Sequence, residues 1–130
     1  TTLGDFSELA TRRLMTDLIL TLNASFPDYD FSNIKPNQFE KLKIETVRKR
    51  IYERLSEMAS FKVQKDWLVE MWMAVNDVID LRECDVYSFE EEIDEDALWS
   101  FRYFFINKSL RRIVFFTCSE KINEARGEDD

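Results

Sequence analysis

Apolar residues recur every three or four positions along the first third of the chain and every second position near its end. Phe6, Leu9, Ala10, Leu14, Leu18 and Leu22 keep helical spacing, with Met15 and Ile19 widening the stripe, so a first helix is predicted. Asp5 or Ser7 would cap its start, and Pro27 stops it after about Ala24. The next stretch, FPDYDFS from Phe26 to Ser32, is too rich in Pro and Asp for a regular element and too aromatic for a plain solvent loop. Pro36, with Asn33 as a nearby cap, is expected to open a second helix that is continuous from Phe39 to Ala59. Ile44, Val47, Ile51, Leu55 and Met58 share one face of it, opposite Lys49, Arg50, Glu53 and Arg54. A third helix is expected over about Val63 to Leu81, with Asp66 near its start. Its apolar stripe is Leu68, Met71, Trp72, Val75, Val78 and Ile79.

After Arg82 the period becomes two. Cys84, Val86 and either Tyr87 or Phe89 mark one strand, and Leu98 to Ile106 a second. In the second, Trp99, Phe101, Tyr103 and Phe105 share a face, while Leu98, Phe104 and Ile106 lie on the other with Ser100 and Arg102. Asn107, Lys108 and Ser109 form a turn. Arg111 to Cys118 returns, with Ile113 and Phe115 on one side and Val114 and Phe116 on the other. Strands apolar on both faces sit between layers. The fold class is therefore α/β of the α+β type: an antiparallel sheet including a long C-terminal aromatic hairpin, with helices packed on both faces. Residues 1–119 should form one globular domain, and 120–130 an acidic tail that frays. Three strands make a small sheet with an aromatic edge. Either a helix shields that edge, or further strands come from sequence outside this chain.

Composition narrows the chemistry. The chain has no histidine, which excludes Ser-His-Asp and Cys-His nucleophiles and histidine metal sites. Its two glycines, Gly4 and Gly127, lie near the ends, so no Walker A or G-x-G-x-x-G loop exists. Cys84 and Cys118 lack C-x-x-C spacing and are expected as buried, reduced thiols, which gives an intracellular reading. No apolar run approaches the ~20 residues of a membrane span. A net charge of −8 argues against a general nucleic-acid binder.

The charge is unevenly spread. Residues 35–65 hold nine Lys/Arg against four Asp/Glu, whereas residues 83–96 hold eight acids and no base. That asymmetry suits a partner with complementary patches, although two solvated faces would produce it as well. The acidic run from Glu90 to Asp96 could in principle hold a divalent cation for phosphoester hydrolysis, but it lacks the glycine-centred D-x-D-x-D-G loop. Arg48, Lys49, Arg50 and Arg54 could serve as a nuclear-import or phosphate-binding patch, or simply as a solvated helix face.

Three stretches carry a resemblance: TRRLMTDLILTLNASFPDYDFS (Thr11 to Ser32), ECDVYSF (Glu83 to Phe89) and LWSFRYFFINKSLRRIVFFTC (Leu98 to Cys118). Together they resemble the second and third conserved boxes of the Maf-one family of eukaryotic repressors of RNA polymerase III, covering residues 8–119. The family's first box and the phosphorylatable linker after it are not found here. The chain is therefore expected to be a core, with the first box supplying the strands the sheet lacks.

The resemblance implies a non-enzymatic negative regulator without cofactor. Such a protein binds RNA polymerase III and blocks its engagement with the initiation factor TFIIIB at tRNA and other short RNA genes. It also implies control by kinases and phosphatases under nutrient signalling, shuttling between nucleus and cytoplasm, and neither membrane attachment nor direct sequence-specific nucleic-acid binding. The expected partner-binding residues are Arg12, Arg13, Asp28, Tyr29, Asp30, Asp94, Asp96 and Lys108. Asp28 and Asp30 could equally be local backbone caps. The alternatives are a metal-dependent phosphoesterase using the Glu90–Asp96 loop and a non-inhibitory scaffold.

Overall fold

The computed structural model describes residues 9–57, 61–91, 93 and 96–121, with the side chains of 61–65 left aside. Helix α1 spans Leu9–Ser25, strand β1 Phe39–Leu42, α2 Ile44–Ser56 and α3 Phe61–Ile79. Strands β2 (Asp85–Phe89), β3 (Ala97–Asn107) and β4 (Arg112–Lys121) follow. The four strands form one antiparallel sheet in the order β1-β2-β3-β4. This is the α+β architecture expected, with helices on both faces.

Each face of the sheet seals its own core. On one side Met15, Leu18 and Leu22 of α1 pack against Phe39, Phe89, Phe104 and Ile106. On the other, Val47, Ile51 and Leu55 of α2 and Leu68 and Ile79 of α3 meet Val86, Tyr103 and Phe105. The alternation read in β3 and β4 is the physical cause. Trp99, Phe101, Val114 and Phe116 fall on the α2/α3 side, and Ile113 and Phe115 on the α1 side.

Two expectations are corrected. The helix expected to be continuous from Phe39 to Ala59 is instead a 3₁₀ turn at Pro36–Gln38, then β1, then α2 from Ile44. β1 pairs with β2, Phe39 opposite Phe89 and Leu42 opposite Val86. Tertiary pairing of a fully buried Phe39 outweighs the helix propensity of Glu40 and Lys41. The fourth strand therefore comes from within this chain. Val78, assigned to the apolar stripe of α3, is 51% exposed, because the helix ends at Ile79 over the rim of the sheet. The expected caps of α1, Asp5 and Ser7, lie outside the described residues.

Candidate functional site: a basic groove beside the hairpin turn

The turn between β3 and β4 is held from beneath. Asn107, nearly fully buried, donates from Nδ2 to the Ile79 carbonyl at 2.8 Å and accepts from the Leu110 N–H at 3.0 Å. Arg112 donates to the Val78 carbonyl at 2.8 Å. The last carbonyls of α3, orphaned by helix geometry, are thus satisfied by the hairpin, which fixes its orientation. Arg111 occupies the left-handed region at φ 56°, which turns its side chain out of the strand line.

Between this turn and the first turns of α1 lies a groove of about 870 Å³. Leu14, Ile106 and Ile113 line it with apolar surface, and Arg13, Lys108, Arg111 and Arg112 surround it, with Asp17 as the one carboxylate among the described residues. Lys108 reaches Asp85 at 3.5 Å, and Asp85 also holds Lys41 at 3.5 Å. Arg112 is engaged by α3. That leaves Arg13 and Arg111 as the cations of this groove whose side chains have neither an ion pair nor a hydrogen bond among the described residues.

The structure thus brings together Arg13 and Lys108, two residues expected from sequence, and separates them from the rest. Arg12 is exposed beside the groove and does not line it. Asp28, Tyr29 and Asp30 sit past the far end of α1, roughly 20 Å away at the helical rise. There Phe31 is the buried anchor, packed edge-on against Phe89, while Tyr29 is 45% exposed and only leans on Phe26. Asp30 accepts from the Ser32 N–H at 2.9 Å, an Asx turn. That bond, with a second from the Ser32 side chain, holds its carboxyl below the usual carboxylate range. Asp28 is exposed and makes no such bond among the described residues. Asp96 is exposed just before β3, and Asp94 lies outside the described residues.

Sequence reasoning missed Arg111 and Arg112 as groove residues. The signal was the LRR run directly after a turn, which reads as an ordinary solvated strand start unless the helix opposite is known. Among the described residues no group of three Asp, Glu or Cys side chains is placed to hold a metal ion. No described helix is long and apolar enough to cross a membrane. Cys84 and Cys118 are free thiols, both half-buried against the α2/α3 core. Burial, reinforced by Asp80, Asp85 and Glu83, pushes Cys84 up to about 11, and burial alone raises Cys118.

A family model described as Maf1 regulator matches residues 1–117. A protein of Dictyostelium discoideum named repressor of RNA polymerase III transcription is 37% identical over 124 residues, covering 88% of this chain and 43% of its own length. A relative from Eremothecium gossypii named repressor of RNA polymerase III transcription MAF1 is 35% identical over 123 residues, covering 89% of this chain and 29% of its own. This chain therefore spans less than half the length of either. A crystal structure of citrus MAF1 superposes with a TM-score of 0.67 at 32% identity, covering 88% of this chain and 71% of that one. With nearly its whole length matched by the family model and its fold shared with a solved member, the chain belongs to the Maf1 regulator family.

Proposed function

We propose that this protein represses RNA polymerase III transcription by occupancy, binding the polymerase and excluding the initiation factor TFIIIB from the surface it needs at tRNA and other short RNA genes. The observation that carries this reading is the family match over residues 1–117, with relatives named as repressors of that transcription. The groove supplies a gripping element. An acidic polymerase segment with an apolar side chain would seat that side chain on Leu14, Ile106 and Ile113 and its carboxylates on Arg13 and Arg111. The loop at Asp28 and Tyr29 forms a second contact at the other end of α1; Lys108 belongs to the groove, and Asp96, just before β3, adds an acidic contact at the opposite end of the sheet. Action as a protein–protein inhibitor requires no catalytic group. Control by kinases and phosphatases, with passage between nucleus and cytoplasm, belongs to the same reading.

In vitro transcription of a tRNA gene with purified polymerase and TFIIIB tests it. Added protein should lower transcript yield, and the charge reversals Arg13→Glu/Arg111→Glu should weaken polymerase capture by roughly tenfold or more while the fold persists, since both side chains are exposed. Undiminished transcription at saturating protein would reject repression. Full capture by the folded double variant would reject the groove.

A further inference from the structure

The basic run on α2 is not consumed by the groove, and its residues part company in the structure. Arg48 lies over the Trp72 ring at 5.0 Å, and Lys49 pairs with Glu53 at 3.9 Å along the helix. Arg50 and Arg54 instead line a separate cleft of about 320 Å³ at the opposite end of the sheet from the hairpin turn. The cleft exists because the strands differ in length. The β2–β3 ladder ends at the Ser88–Tyr103 pair, while β3 runs on to Ala97 with only β4 beside it among the described residues. Side chains from both faces of the sheet therefore meet around the open edge of β3.

Three guanidinium groups line this cleft. Arg102 is 7% exposed, donates to the Ser100 hydroxyl at 2.8 Å and to the Glu91 carbonyl, and lies 5.9 Å from the Phe89 ring centroid. Arg54 sits over the Trp99 ring at 5.3 Å and pairs with Glu57 at 3.4 Å. Burial pushes the Tyr103 phenol up, and the charge of the neighbouring Arg50 pulls it back down. Ser88 and Ser100 bring hydroxyls to the lining, and Glu90 is its only carboxylate among the described residues. The Trp99 ring and the Glu57 carboxylate hold the Arg54 fork in place before any ligand arrives, which lowers the ordering cost of binding.

From this geometry we propose that the cleft is a binding site for a phosphate monoester dianion, held by Arg50 and Arg54 with the Ser88 and Ser100 hydroxyls, beside the positive charge of Arg102. With the terminal nitrogens of Arg102 spent on Ser100 and the Glu91 carbonyl, the Arg50 and Arg54 forks and the two hydroxyls are the ligand's donors, and the third guanidinium adds its charge. This suits a group with three terminal oxygens and close to two negative charges. The cleft is at the small end for a binding pocket, so it admits the phosphoryl group and little of what bears it. A phosphorylated side chain and a small phosphorylated metabolite share this chemistry.

The three tryptophans make the test internal to the protein. Trp99 lines the cleft, whereas Trp67 and Trp72 do not. Inorganic phosphate is titrated into the ¹⁵N-labelled chain at constant ionic strength, and the three indole N–H resonances are followed. The expected result is a saturable shift of Trp99 with Trp67 and Trp72 unmoved, weakened roughly tenfold or more in Arg50→Gln/Arg54→Gln and retained in Arg13→Gln/Arg111→Gln. A phosphoserine peptide that binds more tightly than free phosphate, while its unphosphorylated form does not bind, assigns the site to a phosphorylated side chain. Equal binding of peptide and phosphate assigns it to a small molecule. If the double variant does not fold, Arg50→Gln alone, at an exposed position, carries the comparison, and unchanged binding there overturns the site. A Trp99 that does not respond, or three indoles that move together, overturns it also.

Discussion

Two aspartates separated by one residue have different roles, and nothing in the string PDYDFS distinguishes them. Asp30 has its oxygen on the Ser32 N–H, whereas Asp28 faces solvent. The equal weighting of local cap and partner contact is therefore divided by residue: Asp30 shapes the loop, and Asp28 is free to meet a partner. Asp30→Ala should lower the melting temperature by a few degrees at neutral pH, and Asp28→Ala should leave it unchanged. The sign of the pH dependence follows from the depressed carboxyl. Its contribution is full above the ordinary carboxylate range and is lost as pH falls through the folded value, so wild type and Asp30→Ala should converge on acidification. Thermal melts between pH 7 and pH 2 check this. A gap that persists to the lowest pH would assign the effect to something other than the ionised carboxylate.

At the scale of elements, legibility followed burial. β3 and β4 were readable because Tyr103, Phe104, Phe105 and Ile106 alternate between two real cores, and periodicity reports faces directly. β1 was not, because its four residues hold Glu40 and Lys41 between Phe39 and Leu42 and run straight into a good helical stripe. Only the pairing of Phe39 with Phe89 makes it a strand, and that lies fifty residues away in sequence. Its worth is measurable. Phe39 is fully buried, 5.1 Å from the Phe89 ring and 5.9 Å from that of Phe104. Phe39→Ala should cost about 3–5 kcal/mol in urea unfolding, the range for an aromatic core truncation. An exposed residue in the first turn of a helix would lose well under ~1 kcal/mol. A small loss would therefore restore the helical reading and remove the fourth strand.

For the molecule as a whole, the summed charge was legible and its arrangement was not. A net −8 could be counted, but the groove joins Arg13 to Lys108, Arg111 and Arg112 across nearly the whole chain, a proximity no spacing encodes. The two scales of charge act with opposite sign on an acidic partner. Seen from afar the protein repels such a partner; within the groove it attracts. Ionic strength separates them, because the Debye length falls from about 30 Å at 0.01 M salt to about 8 Å at 0.15 M and about 3 Å at 1 M. The first value exceeds the ~14 Å radius of gyration expected for a chain this long, so the whole charge is felt; the second leaves mainly the groove. Association with polymerase should therefore quicken as salt rises from 0.01 to about 0.15 M, then weaken towards 1 M as contact attraction is screened. In Arg13→Gln/Arg111→Gln the early rise should remain and the later decline should flatten. Stopped-flow association rates across this range read both limbs. A rate that falls steadily from the lowest salt in wild type would mean that attraction dominates at every distance, and the partner surface would then have to be basic, which places the contact on Asp28 and the acidic segment before β3 instead of the groove.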